Sequence, residues 1–468
     1  MKVYSDMYDV AIIGGGVMGV SVARELSKYK LNVVVLERSY DLGEGATKAN
    51  SGVLGAGFHP RGGSLKGISC VRGNEMYREI AQQLGIDIQF VGSLFVAFHD
   101  DGMKMIEDKY KKGLKNGVQG MSIINGDQAR VMQPGLSDQV IQALYAPTIG
   151  IINVFQLIVK TAQSAAINGV EFLFDTEVIH LEPQMEWYRI HTNSGEIRAR
   201  YVVNTAGEEA AKVESWVRPA DLIIKPRRGQ FYVFDKSDHG LCHVIYQAQE
   251  SDEKGCLLAP SVEGNIIAGP TSENVPSYKN VETTRKGLNH IEKVARKILP
   301  NIDIGRVITS FAGVRANIKN VAKEDKDFVI RHSSERFVSA LGIKNPGLTA
   351  APYLALLAVN ILVDGGLTLE PKQEYQPSLP QMLPVTGGNI VCRCEHVTEE
   401  DIIRALQQPL PPKSINGLKK RLRTGMGRCQ GSFCTPRIIE ILSRYWNVPP
   451  EKVMKSIHGS QLVKGKVK

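Results

Sequence analysis

Aromatic residues are scarce in this 468-residue chain, which has three Trp and 7% aromatics overall. No basic stripe is interleaved with aromatic side chains, so nucleic acid is excluded as a partner. Long apolar runs are missing as well. The longest candidate, around Ala350–Val363, is short and contains Pro352 and Asn360, so no bilayer-spanning stretch is read. Residues 1–9 carry Lys2, Asp6 and Asp9, and the apolar run after them opens a glycine motif where a secretory leader would have its cleavage site. A cytoplasmic protein is expected, with peripheral membrane association left open. Paired cysteines are lacking: the count is seven, and an odd number argues against a disulfide framework. Four of them crowd between Cys392 and Cys434, which favours a metal site there. The formal charge of +9 is spread along the chain and suits an anionic substrate or partner as well as a solvated basic surface. At 43% apolar and 22% charged the composition is that of a soluble globular protein, and the length calls for two or three folding units.

What is present begins with Tyr8–Ile13, an apolar β-branched run that reads as a buried parallel strand. Gly14-Gly-Gly-Val-Met-Gly19 follows, then an amphipathic helical pattern over 20–29 and a second buried strand ending at Glu37. This βαβ order is the context in which a glycine turn binds a dinucleotide. Gly14 permits the tight turn, Gly16 lets the backbone approach a pyrophosphate, and Gly19 allows close packing of helix on strand. The helix N-terminus favours phosphate, and Glu37 can accept from a ribose. These residues leave FAD and NAD undecided.

Helices are expected at 70–84, 153–168, 281–299 and 348–363. Strands are expected at 88–98, 170–174, 187–192 and 199–204 and in several runs within 221–270, with a hairpin over 329–341 turning at Ser333–Glu335. The fold class is α/β, a Rossmann-like dinucleotide domain with an antiparallel-sheet substrate domain and a small C-terminal domain. The main unit is 1–370, with cofactor-binding parts at about 1–80, 145–215 and 325–370 and substrate parts at about 81–144 and 216–324. Prolines and Gly387-Gly388 make 371–389 a linker. The last piece, 390–460, is small enough to need a staple.

That piece holds Cys392-Arg-Cys394 and Cys429-Gln-Gly-Ser-Phe-Cys434, the second pair behind a glycine turn at Thr424–Gly427. Four thiolates suit a [2Fe–2S] cluster or one zinc, though a one-residue gap is unusual for zinc. Basic residues surround the second pair and could balance a cluster's charge or dock an acidic carrier.

Gly45–Gly52, Thr176–Val178, Val202–Gly207, Pro226–Gln230, Ser310–Arg315 and Gly342–Thr349 together resemble the D-amino-acid oxidase-like FAD superfamily, on the side of anaerobic glycerol-3-phosphate dehydrogenases and L-2-hydroxyglutarate dehydrogenases. The C-terminal piece resembles the bacterioferritin-associated-ferredoxin-like [2Fe–2S] domain, with Cys392, Cys394, Cys429 and Cys434 as ligands. The resemblance implies FAD, held by Gly14, Gly16, Gly19, Glu37, Arg38, Ala46, Thr47, Asn50, Ser51, Gly52, Val178, Ala206, Gly207, Gly342, Gly347, Leu348 and Thr349. It implies a dehydrogenase of a small anionic substrate, best matched by sn-glycerol 3-phosphate, with electrons leaving through the cluster to an external acceptor or partner subunits in an oligomer or complex. The alternatives are a 2-hydroxy acid or amino acid substrate, or a role in electron transfer within a larger complex. Arg315 stands where the family binds an anion, and Lys344 lies in the loop before the flavin helix. Hydroxy-acid relatives carry a histidine where this chain has Gly55. His59 is the replacement considered for the base, and Tyr246 a weaker one.

Overall fold

The computed structural model describes residues 2–236, 240–248, 256–320, 327–380 and 387–465. Among these, the strand Lys2–Ile13 is the centre of the first sheet. Val33–Leu36 and then Glu171–Leu173 lie parallel on one side of it, and Gly195–Asn204 and then Phe337–Leu341 lie parallel on the other. An antiparallel meander, Val178–Pro183 and Tyr188–Thr192, extends the sheet past Gly195–Asn204. The strands are apolar on both faces because both are covered: Val10, Ile12, Val33 and Val35 join one core, Ala11, Ile13, Val34 and Leu36 another. The second sheet is largely antiparallel. Its spine is Leu222–Phe234 paired with Val307–Asn320, in step from Leu222↔Asn320 to Val233↔Thr309.

The expected hairpin forms as Val329–Ser334 and Phe337–Leu341, but its turn falls on Glu335-Arg336, with Arg336 left-handed at φ 57°. The expected strand 88–98 divides at Gly92 (φ 70°), and Ile88–Gln89 and Ser93–Ala97 enter different sheets. The basic helix starts at Arg285, where the Thr284 side chain accepts the Gly287 N–H. A helix over Asp100–Asn116 is not among the elements expected from sequence.

The apolar run near 350 needs correction. Its helix spans Gly347–Asp364, 18 residues of mean hydropathy 1.6, and by length and composition alone could cross a membrane. Here it is a core helix, with Ala350, Ala351, Leu354, Ala355, Ala358 and Leu362 buried against the helices Val17–Leu26 and Leu65–Leu84. Pro352 does not end it. A proline there leaves the Leu348 carbonyl without its helical N–H, and the buried Tyr77 hydroxyl donates to that carbonyl at 2.7 Å.

Residues 371–380, the start of the expected linker, form a strap along the main body. The Lys372 N–H donates to the Lys28 carbonyl at 2.9 Å and the Gln376 N–H to Asn168 Oδ1 at 2.8 Å. The rest of that expectation, at 381–386, lies outside the described residues. The C-terminal piece has its own core of Val391, Ile402, Leu406, Leu418, Ile438, Ile441 and Leu442.

Tyr77→Phe should cost about 1–3 kcal/mol, because a buried carbonyl loses its partner. In a Pro352→Ala background the helix regains its own donor, so the same change should cost much less; a thermal-unfolding double-mutant cycle measures the difference.

Candidate functional site

The glycine turn works by close approach. Gly14 sits at φ 102°, where a Cβ would lie 2.8 Å from the Thr205 carbonyl, and a Cβ on Gly19 would collide with the Gly14 carbonyl. The helix Val17–Leu26 begins without a side-chain cap from Gly16, which leaves its N-terminus facing the groove. The groove, about 210 Å³, is lined by Gly14, Gly16, Glu37, Arg38, Ala46, Thr47, Val178, Ala206 and Gly207, all expected from sequence. Gly19 acts beneath it. Glu37 is buried and takes the Gly15 N–H at 2.7 Å and the Ser39 N–H at 2.8 Å, which fixes its carboxylate at the rim. Thr47, from the neighbouring loop, accepts the Val17 N–H at 3.1 Å.

Asn50, Ser51 and Gly52 line a second cavity, about 420 Å³, which also touches Phe311, Lys419, Arg423, Met426 and Gln430. Gly342 (φ 68°) opens the loop into the helix headed by Gly347, Leu348 and Thr349. The Thr349 hydroxyl accepts the Gly55 N–H at 2.8 Å. No N-cap side chain bonds the start of this helix; the Gly347 N–H is taken by the Lys344 carbonyl, and the Leu348 and Thr349 amides and the dipole are left for an anionic ring edge.

On the substrate sheet, Arg315 donates to the Thr271 carbonyl at 2.7 Å. Burial, and then the neighbouring Arg227, push its pKa down to about 10. Arg227 lies directly opposite it in the ladder. In the sequence Arg227 is one residue of the Pro226–Gln230 motif, with no role of its own attached. Lys344 donates to Asn317 Oδ1 at 2.6 Å. A side chain at Gly55 would meet the Cys70 Sγ at 3.1 Å, so the cysteine fills the space beside it. Burial pushes the Cys70 thiol up to about 12 and the nearby Tyr246 phenol well above its ordinary range. His59 is exposed and packs on Phe58, Phe95 and Tyr246, with ring centroids 4.3, 5.7 and 4.9 Å away.

The four C-terminal thiols meet in two pairs. Cys394 and Cys429 lie 3.7 Å apart, and Cys434 is hydrogen-bonded to Cys392. The Cys434 thiol, with the N–H groups of Glu395, Gly425 and Cys394, holds Cys392 down to about 6, against the opposing effect of burial. The N–H groups of Phe433 and Gly431 lower Cys429 in the same way. Among the described residues no three His, Cys, Asp or Glu side chains converge on a single ion. Two thiol pairs ringed by backbone N–H donors fit a two-iron cluster better than one tetrahedral zinc.

Charge holds this domain to the main body. Asp41 is 3% exposed. Burial alone would raise its pKa, but Arg421 and Lys420 outweigh that and hold it below the ordinary carboxylate range. Arg421 reaches both Asp41 oxygens, at 2.8 and 3.3 Å, and Lys420 donates to the Leu42 carbonyl at 2.6 Å and to Glu44. Arg423 bonds Glu395 at 3.0 Å and Asn265 at 3.1 Å. In the sequence these cations stand out only as neighbours of the cysteines.

A glycine-turn groove, a sheet with a buried arginine and a cluster of four cysteines are the features of a redox protein with a dinucleotide cofactor and a metal cluster. Residues 9–361 match the FAD dependent oxidoreductase family, and 390–444 match the BFD-like [2Fe-2S] binding domain. The chain belongs to the FAD-dependent oxidoreductase family, and its cofactors are FAD and a [2Fe–2S] cluster. It is 38% identical to a glycerol 3-phosphate dehydrogenase of Caloramator mitchellensis over 99% of both chains. One component of the anaerobic glycerol-3-phosphate dehydrogenase of Haemophilus influenzae is 24% identical, with 95% of this chain and 86% of that one covered. The structure of an FAD-bound L-α-glycerophosphate oxidase from Mycoplasma pneumoniae superposes with a TM-score of 0.75 at 26% identity, over 81% of this chain and all of that one.

Two outcomes are expected. A side chain at Gly427 would collide with the Cys394 Cβ. Gly427→Ala should therefore drop iron and acid-labile sulfide well below about two each per chain while FAD remains bound. Stability from Asp41 and Glu44, whose folded pKa values are both lowered, is complete above about pH 4.5 and is lost as pH falls through those lowered values. Arg421→Met leaves Asp41 buried beside Lys420 alone. It should cost about 3–5 kcal/mol at pH 7 and flatten the acid dependence, as read by denaturant unfolding between pH 7 and pH 3.

Proposed function

We propose that the chain oxidises sn-glycerol 3-phosphate to dihydroxyacetone phosphate and passes the electrons through its cluster domain to an external acceptor or partner protein. The observation that carries this reading is uncompensated positive charge on the substrate sheet. Arg315 is anchored to the Thr271 carbonyl and, among the described residues, has no carboxylate partner. An anion is the ligand such a guanidinium requires. The end-to-end similarity to a glycerol 3-phosphate dehydrogenase supports the same substrate. The similarity to one component of a multi-chain anaerobic dehydrogenase supports work within a complex.

When bound, FAD supplies the two-electron acceptor and the cluster a one-electron relay. Arg315 binds and orients the anionic end, and Lys344 adds a second cation in the loop before the flavin-facing helix. The Tyr246 phenol, kept protonated by burial, donates to the substrate hydroxyl and does not deprotonate it. The His59 imidazole packed on Tyr246 is the group assigned to take the hydroxyl proton.

Anaerobic glycerol 3-phosphate should bleach the flavin, and Arg315→Ala should raise KM by roughly 100-fold with FAD retained. Bleaching by a 2-hydroxy acid or amino acid in its place would overturn the substrate. Reduction only by a partner protein would make the chain an electron-transfer component.

A further inference from the structure

Strands Leu222–Phe234 and Val307–Asn320 pair so that 227 faces 315 and, one step along the same face, Gly229 faces Gly313. A Cβ at Gly313 would lie 2.6 Å from Ala49, inside the loop that carries the flavin-contacting segment. The two arginines therefore stand on the face of the sheet that the cofactor loop lies against. Their charges are left open. Among the described residues Arg315 bonds only a carbonyl, and the Nε of Arg227 is buried without a hydrogen-bond partner. The next residue in the chain, Arg228, points to the other face and is fully compensated by Glu273 and Glu282. Acids are thus supplied one position away and withheld here. One guanidinium is enough for a carboxylate. Two adjacent ones with no acid between them repel each other until a dianion sits against both.

We propose that Arg227 and Arg315 together clamp a dianionic tetrahedral group, which makes Arg227 the residue that selects a phosphorylated alcohol over a hydroxy-carboxylate. This rests on the substrate reading above and adds a specificity residue to it.

The test uses the FAD- and cluster-loaded protein and follows the flavin spectrum as inorganic phosphate or lactate is titrated in, between pH 5 and pH 8. Steady-state kinetics with glycerol 3-phosphate run alongside. In the wild type, phosphate should bind more tightly as pH rises through its second ionisation, close to neutrality. Arg227→Gln should weaken phosphate by roughly 10- to 100-fold and flatten that pH dependence, raise KM far more than it lowers kcat, and leave lactate affinity within about twofold. Arg227→Lys, which keeps the stem and the charge, should recover part of the affinity and guards against loss of fold in the glutamine variant. An Arg227→Gln protein with unchanged phosphate affinity and pH slope, or with phosphate and lactate weakened equally, overturns the clamp and leaves the glycerol 3-phosphate reading standing. A wild type that responds to neither phosphate nor glycerol 3-phosphate overturns both.

Discussion

Asp41 is withdrawn from water, and its charge persists there because Arg421 and Lys420 of the cluster domain reach it. Incomplete buried ion pairs are strongly destabilising, so this contact holds only when all its members are in place. Asp41 and Glu44 begin the same loop whose later residues, Ala46–Gly52, line both cofactor cavities. Docking of the cluster domain and shaping of the flavin site are therefore done by one short stretch of chain. Across the larger cavity Asn50, Ser51 and Gly52 face Met426 and Gln430, which lie in the cysteine loop. A domain that carried a cluster but could swing away would have little use as an electron relay; the ionic contact fixes it beside the flavin loop.

The same economy of charge separates structural cations from functional ones. Arg331 is held by Glu214 and Asp221, Arg228 by Glu273 and Glu282, and Arg423 by Glu395 and Glu263. Each of these ion pairs ties together segments distant in the chain. Arg315 and Arg227 stand apart because their positive charge is not consumed by the fold. Their mutual repulsion is a cost the folded protein carries, which is why we assign them to a ligand and not to bracing.

The cofactor half of the site was more legible in the sequence than the substrate half, where Arg315, Lys344, His59 and Tyr246 stood out but Arg227 did not. The glycine turn, Glu37 and the four cysteines are short sequence patterns: the glycines are required by close backbone approach, Glu37 by its place at the end of the second strand, and the cysteines by the thiols a cluster needs. The fold class was readable for a similar reason, because buried parallel strands announce themselves as β-branched runs. Arg227 was invisible because its meaning depends on a ladder partner far along the chain. The Asp41 contact was invisible because it joins two domains, and sequence does not say which surfaces touch. Pro352 lies inside the helix expected over 348–363, but the donor that satisfies the freed Leu348 carbonyl comes from Tyr77 on another helix, a contact the sequence does not show.

Gly55 carries the remaining argument. Where hydroxy-acid relatives are expected to present a histidine, this chain presents a backbone N–H held by Thr349, with the Cys70 Sγ occupying the space a side chain would take. Cys70 is buried and its thiol is pushed up to about 12, so it is no base. The group assigned above to proton removal is His59, packed on Tyr246 and carried by a different segment from Arg315 and Arg227. That arrangement suits a substrate whose anionic group and reacting carbon are separated by a spacer. In a 2-hydroxy acid the carboxylate sits on the reacting carbon itself, so anchor and base would have to crowd one centre. In glycerol 3-phosphate a methylene and an ester oxygen intervene.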